Sequence, residues 1–160
     1  MSKDKNTEFI LDDFLPYNVN VLAQLISRSF SKTYKDVFKV SVPEWRVIAH
    51  LSQQNDVSVR EISEAAHMPR AKVTRAVQTL ASRKLVKKVI DSQDRRLVSL
   101  RLTAKGQELV NNIAPLAMEF ELNMIKGLPD GLQSQAKPFI QALLKTAIEL
   151  DAGLYKPDAK

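Results

Sequence analysis

Positively charged side chains are concentrated in one segment of this 160-residue chain. Residues 70–105 contain eleven Lys or Arg and two Asp, a net charge of +9, whereas the whole chain carries +6 and the remaining residues therefore −3. A local excess of this size is typical of a surface that binds a polyanion. The chemistry offered here is charge neutralisation and hydrogen bonding to phosphates and base edges.

The first part of the basic segment has the pattern of a helix from about Pro69 to Arg83 with one buried face. Val73, Val77 and Leu80 recur at helical spacing and predict that face. The residues left outside, with Lys72 toward the edge, are Arg70, Ala71, Lys72, Thr74, Arg75 and Gln78. We expect the polar side chains among them to contact DNA, with Lys72 adding only general affinity.

A β-hairpin follows this helix directly, since the hydrophobic period changes from 3.6 to 2. Residues 85–90 and 97–102 read as strands, and the turn between them, 91–96, has no apolar residue. Lys87 and Lys88 face opposite sides of the first strand, so one is a solubilising charge, and we assign a phosphate contact to Lys88.

The remaining elements are helices with clear start signals. Ser41-Val42-Pro43-Glu44 and Ser58-Val59-Arg60-Glu61 are capping boxes, and Thr103 is the N-cap of a long helix. Met68-Pro69 interrupts the helical pattern at the spacing of a helix-turn-helix. The predicted order is four helices, a hairpin and two helices. The fold class is mainly α with a small β-hairpin wing, a winged helix-turn-helix.

Several classes of function lack residues to support them. The chain has no Cys and only His50 and His67 as histidines, so we predict no metal site, no cofactor and a packing or surface role for both histidines. It has no nucleophile elbow, glycine-rich phosphate loop or paired carboxylates, so we predict no enzyme. The polar N-terminal stretch lacks the apolar core of a signal peptide, which predicts a cytoplasmic protein.

A second candidate site lies near the start of the second helix. Trp45 and Arg46 place an aromatic ring beside a guanidinium, a combination that suits an aromatic carboxylate. His50, one turn further along, and Arg28 on the first helix are weaker members of the same predicted pocket. The alternative is a core tryptophan beside a surface arginine.

Four stretches together resemble the multiple antibiotic resistance regulator (MarR) family of bacterial winged-helix repressors. They are Val73-Thr74-Arg75, Arg83-Lys84-Leu85-Val86, Asp94-Arg95-Arg96 and Leu102-Thr103-Ala104-Lys105-Gly106. The resemblance covers about residues 14–150. It implies that helices one, five and six pair with their copies in a second subunit, and that small anionic, often aromatic, ligands weaken DNA binding.

The resemblance also implies roles for the hairpin tip. Arg96 would enter the minor groove, Asp94 would orient it through a charge-assisted hydrogen bond, and Arg95 would touch the phosphate backbone. The sequence departs from the family at Lys84 and Leu97, because glycine is common at the first position and frequent at the second. The helix exit at Lys84 must therefore do without the residue that best adopts a left-handed conformation.

These observations predict one MarR-like domain over residues 1–160. Residues 41–106 would form the winged helix-turn-helix unit, and residues 14–38 and 107–150 the dimerisation helices, whose apolar stripes exceed what one small domain can cover. We expect a homodimeric repressor that binds a pseudo-palindromic operator in duplex DNA and has no membrane partner. The alternatives are a winged-helix module that binds an acidic protein and a sequence-independent nucleic-acid binder.

Overall fold

The computed structural model of the chain describes residues 9–90 and 98–154. The elements within these residues are α1 (Leu15–Phe38), α2 (Val42–Gln53), α3 (Val59–Ala65), α4 (Arg70–Ser82), β1 (Val86–Ile90), β2 (Val98–Leu102), α5 (Ala104–Lys126), α6 (Asp130–Gln133) and α7 (Ala136–Asp151). A 3-10 turn, Leu11–Asp13, precedes α1. The predicted fold class and element order are confirmed, with the one-turn α6 as an addition.

The chain divides into two compact units, with the boundary between Leu116 and Ala117. In the first unit, apolar residues of α1 to α4, the hairpin and the start of α5 form one core. Its most deeply buried side chains include Tyr34, Ile48, Ile62, Leu80 and Ile113. The core holds α4 by one side only, so the other side of that helix stays accessible.

Both predicted capping boxes fix helix starts in this unit. The Ser41 N–H donates to the Glu44 carboxylate over 2.8 Å, and the Ser58 N–H donates to the Glu61 carboxylate over 2.7 Å. The Ser58 hydroxyl accepts in return from the Glu61 N–H over 3.2 Å. These bonds satisfy N–H groups that a helix start leaves without partners.

Three helix ends use a left-handed residue that is not glycine: Lys39 after α1, His67 after α3 and Lys84 after α4. After α4, the Leu85 N–H donates to the Leu80 carbonyl and the Lys84 N–H to the Ala81 carbonyl, while Lys84 has φ +59°. This is the Schellman pattern, in which glycine is the usual left-handed residue. The same arrangement after α3 gives His67 a φ of +46°. Lysine therefore adopts the conformation at the position where the family commonly has glycine.

The hairpin strands pair antiparallel, with Val86 opposite Leu102 and Lys88 opposite Leu100. Of the side chains predicted to share the inner face, Leu100 is buried, Leu102 half-buried and Val98 exposed. The first strand begins one residue later than predicted, at Val86. The predicted turn over residues 91–96 and Leu97 lie outside the described residues.

In the second unit, none of the described residues 117–154 is buried. Its large exposed apolar side chains are Met118, Leu122, Met124, Leu132, Phe139, Ile140, Leu144, Ile148, Leu150 and Leu154. A salt bridge of 2.9 Å joins Lys137 of α7 to Glu121 of α5. Across the part of the chain that the structure describes, no helix combines the length and apolar character that a bilayer span requires.

Gly106, in the first turn of α5, allows this helix to approach the start of the hairpin. A Cβ at this position would collide with the Leu85 carbonyl oxygen and lie 3.1 Å from a methyl carbon of Leu102. The Leu85 carbonyl also accepts from the Thr103 N–H over 3.0 Å, so it is fixed on both sides. Relief of the collision would require a backbone shift.

We therefore expect Gly106→Ala to lower the free energy of unfolding by about 1–3 kcal/mol, the usual effect of overpacking. Gly131→Ala is the matched control, because a Cβ there meets nothing within 4 Å and lies in a helix. The control should be neutral or up to about 1 kcal/mol more stable. Urea unfolding of both variants measures the difference, and equal stabilities would contradict the packing argument.

Candidate nucleic-acid interface

The outer side of α4 carries the helical residues that the sequence predicts to contact DNA. Val73, Ala76, Val77 and Leu80 are buried on its inner side. All six predicted residues of this helix are exposed: Arg70, Ala71, Lys72, Thr74, Arg75 and Gln78. We call this set the α4 outer face. Its polar side chains offer donors that a base edge or a phosphate can accept.

Local hydrogen bonds orient two side chains of the α4 outer face. The Thr74 hydroxyl donates to the Arg70 carbonyl over 2.9 Å, and the Arg75 Nε donates to the Ala71 carbonyl over 3.3 Å. Both bonds reach back one turn, which directs the two side chains toward the beginning of α4. The Thr74 oxygen keeps acceptor capacity, and an arginine has donors besides its Nε.

The hairpin lies beside the beginning of α4. Arg70, Thr74 and Lys88 line a common cleft of about 930 Å³, which Arg60 of α3 and Arg101 of β2 also line. The structure thus brings together predicted residues from two separate elements. Asp94, Arg95 and Arg96, the remaining predicted contacts, lie outside the described residues.

Some cations of the basic segment are engaged in holding the first unit together. Arg83 donates to the carbonyls of Phe38 and Lys39 over 2.8 and 2.7 Å, at the C-terminal end of α1, and lies 4.0 Å from Glu44. The guanidinium therefore caps a helix end that would otherwise leave carbonyls without partners. The charge count of the sequence includes Arg83 but does not reveal this role.

Arg101 is engaged in a similar way. Its Nε and Nη2 both donate to the Asp56 carboxylate, and this hydrogen bonding holds the pKa of Asp56 below its ordinary value. Lys105 donates to the Arg83 carbonyl over 3.3 Å. At least three of the eleven basic side chains of residues 70–105 therefore have partners within the protein.

A separate groove between α1 and α2 contains two of the four residues predicted to bind a ligand. Arg28 and Arg46, both exposed, line this groove of about 610 Å³ together with Lys72 of α4. Polar side chains of α1, among them Ser27 and Ser31, line the same groove. We call it the α1–α2 groove. Three cations around one concavity suit an anion.

The other two predicted ligand residues lie elsewhere. The half-buried Trp45 packs against Phe30 and Tyr34, with ring centroids 6.0 and 5.8 Å away. Burial raises the pKa of Tyr34 to about 12. His50 lines a different groove, between α2 and α3, with Glu61 and neighbouring residues. Consecutive helix positions are about 100° apart, so Trp45 and Arg46 point in different directions.

Lys72 belongs to both the α4 outer face and the α1–α2 groove. Besides the α1–α2 groove, it lines a shallow groove with Arg75 and Thr79 of α4 and Ser41 before α2. The sequence predicts Lys72 only as a phosphate contact, and its second location follows from packing that no sequence pattern reports. Within residues 9–90 and 98–154, no group of three or more His, Cys, Asp or Glu could hold a metal ion.

Comparisons with known proteins agree with the fold. The family model described as MarR family matches residues 38–97, which include α2, α3, α4 and β1. The HTH-type transcriptional repressor IacR of Pseudomonas putida is 24% identical over 123 residues, covering 77% of this chain and 73% of IacR.

Solved structures extend the similarity beyond the matched segment. A MarR/EmrR family transcriptional regulator from Acinetobacter sp. ADP1 is 27% identical, with a TM-score of 0.77 over 88% of this chain and 99% of that one. BpsR of Bordetella bronchiseptica, whose DNA binding is regulated by 6-hydroxynicotinic acid, is 22% identical, with a TM-score of 0.74 over 86% and 97% of the two chains. The chain thus matches the MarR family of transcriptional regulators over residues 38–97 and shares the winged helix-turn-helix fold of a member of that family over 88% of its length.

Proposed function

We propose that this regulator is a sequence-specific repressor that binds a pseudo-palindromic operator and is released by a small aromatic or anionic ligand. The single observation that carries the proposal is the α4 outer face, exposed and rich in donors, with Arg70 and Thr74 sharing a cleft with Lys88 of the hairpin. Because the family consists of transcriptional regulators rather than enzymes, we propose no catalytic role.

In this proposal α4 lies in the major groove, which is about 12 Å wide and admits a helix. Arg70, near the helix start where a recognition helix lies deepest, contacts a phosphate or a guanine edge. Thr74, Arg75 and Gln78 contribute to sequence choice, and Lys88 contacts phosphate. Arg96 reads the minor groove, with Asp94 orienting it and Arg95 on the backbone, as the family resemblance implies.

A competition gel shift tests DNA recognition. We expect one duplex, identified by sequencing DNA that co-purifies with the protein, to stay bound in excess random DNA, because base contacts discriminate among sequences and phosphate contacts do not. Equal loss of all duplexes would indicate a sequence-independent binder. No binding even at low salt would instead indicate a module for an acidic protein.

Two variants of α4 refine the same experiment. Gln78→Ala should cost about 1–3 kcal/mol of operator binding and relax preference at one base pair. Lys72→Ala should weaken binding to all duplexes alike and lower the salt dependence by about one counterion. An unaltered preference at every operator position in Gln78→Ala would remove Gln78 from the interface.

We propose a homodimer because large apolar surfaces remain uncovered in each unit. On α1, Leu22 and Leu25 are 47% and 44% exposed although they belong to an apolar stripe. In the second unit, Phe139, Leu144 and Ile148 are each more than half exposed along α7. Soluble monomers rarely leave contiguous apolar patches of this kind in water, and an obligate interface is a hydrophobic core divided between subunits.

Light scattering at micromolar concentration should give the mass of a dimer. Leu144→Glu should shift the protein toward monomer or reduce its stability, because it places a charge in the proposed interface. Gln141→Glu, also exposed on α7, adds the same charge without removing an apolar side chain and serves as control. A stable, folded parent monomer at that concentration would contradict the proposal.

The proposed effector site is the α1–α2 groove. BpsR, which shares the fold, is regulated by 6-hydroxynicotinic acid, an aromatic carboxylate, and this supports an effector of the same class. Arg28 and Arg46 would bind the carboxylate. Trp45 and His50 do not line the groove, so we assign neither a direct contact. A ligand in the groove would also contact Lys72, and this lysine would then no longer be available to the DNA phosphates.

Arg46→Ala should weaken release of DNA by an aromatic acid by about tenfold or more, because a charged hydrogen bond contributes about 1.5–3 kcal/mol. Operator affinity without ligand should stay within about twofold. Lys32→Ala, which removes an exposed cation of α1 that does not line the groove, is the control. The measurement is operator release against 6-hydroxynicotinate and benzoate concentration; unchanged release by both acids would exclude Arg46 from the site.

A further inference from the structure

Asp56, in the loop between α2 and α3, contacts the hairpin over a long sequence separation. Its carboxylate accepts from both Nε and Nη2 of Arg101, 45 residues away, and from the Ser99 hydroxyl over 3.2 Å. The next residue adds a backbone bond, since the Leu100 N–H donates to the Val57 carbonyl over 2.9 Å. Three consecutive residues of β2 are therefore attached to one loop.

The loop adopts an uncommon conformation at this contact. Asp56 has φ +62°, in the left-handed region that only Gly, Asn and Asp visit with ease. Immediately afterwards, Ser58 and Glu61 form the capping box that starts α3. The carboxylate that contacts β2 is thus only two residues from Ser58, the N-cap of the first helix of the helix-turn-helix.

Charge on the hairpin gives this carboxylate a second effect. Lys87 of β1 lies directly opposite Arg101 of β2, and like charges in opposite positions destabilise a pair of strands. Asp56 hydrogen-bonds one of the two cations and is influenced electrostatically by the other, and both influences keep its pKa low. The carboxylate therefore stabilises the pairing of the two strands as well as the attachment of β2 to the loop.

We propose that Asp56 is a positioning residue for DNA binding. It holds the hairpin in place relative to the helix-turn-helix through the two hydrogen bonds that it accepts from the Arg101 guanidinium. In this role Arg101 is a structural cation and not a phosphate contact, although it lines the cleft shared by Arg70, Thr74 and Lys88. The inference rests on the proposed function, since it assigns a role in operator binding. It assigns that role to two residues outside the predicted DNA contacts.

The sign of one mutational effect distinguishes positioning from plain electrostatics. Removing an acid beside a polyanion raises the local positive charge, which alone would strengthen binding to any duplex. Loss of positioning has the opposite effect on the specific complex, because α4 and the hairpin must then be ordered at the moment of binding. If the carboxylate acted only as a surface charge, its removal could not weaken operator binding.

Asp56→Asn tests this, because asparagine has nearly the same volume and also tolerates the left-handed region. We expect operator affinity to fall about tenfold or more, with the salt dependence unchanged and random-duplex affinity equal or higher. Arg101→Lys, which keeps the positive charge but cannot donate two hydrogen bonds from a planar guanidinium, should have the same effects on operator binding. Arg60→Lys is the control, since Arg60 lines the same cleft but pairs with Glu64.

Hydrogen exchange provides a readout that does not depend on DNA. The Leu100 amide should exchange faster in Asp56→Asn than in the parent, with exchange of buried α4 amides unchanged. Operator affinity of Asp56→Asn equal to or above the parent's would overturn the inference, as would unchanged exchange at Leu100. If the parent itself shows no preference for any duplex, the proposed function fails, and the exchange result then decides whether Asp56 positions the hairpin.

Discussion

The inner side of α4 is the contact on which the arrangement of the first unit depends. Val73, Ala76, Val77 and Leu80 bury nearly all of their surface against the surrounding core. Burial of a Val or Leu side chain contributes about 1.5–3 kcal/mol, so rotation of α4 about its axis would expose a large apolar area. The same packing that stabilises the unit therefore determines which side chains of α4 face outward. The proposed affinity for DNA and the stability of the core are therefore properties of opposite sides of one helix.

Short connections on both sides of α4 carry this orientation to its neighbours. His67 and Lys84 adopt left-handed conformations at a cost of about 1–2 kcal/mol each, and the hydrogen bonds of two Schellman patterns offset that cost. In the second connection, the Thr103 hydroxyl also donates to the Lys84 carbonyl over 2.7 Å. Gly106 then lets α5 approach the same corner. The hairpin is thereby fixed to α4 at its base, and Asp56 adds a second attachment further along β2.

The sequence predicts the local part of this structure well and the long-range part poorly. Capping boxes at Ser41 and Ser58 and the change of period at residue 85 depend on neighbours within four positions, and they are confirmed. The bonds of Arg83 to α1 and of Arg101 to Asp56 join residues 44 or 45 positions apart. No periodicity encodes such pairs, because they exist only after the core has brought distant elements together. For the same reason, sequence analysis groups Trp45 with Arg46, although the ring packs against Phe30 and Tyr34.

Cations in the basic segment differ in function according to their partners rather than their number. Arg83 and Arg101 are held by carbonyls and a carboxylate of the protein, so binding of phosphate would first require loss of those bonds. Lys88, in contrast, is exposed and lines the same cleft as Arg70 and Thr74, where a phosphate could reach it. Lys72 is intermediate, because it borders both the α4 outer face and the α1–α2 groove. An anion in that groove would compete with DNA for the charge of Lys72. Coupling of this kind needs only the neutralisation of this one side chain and no movement of helices.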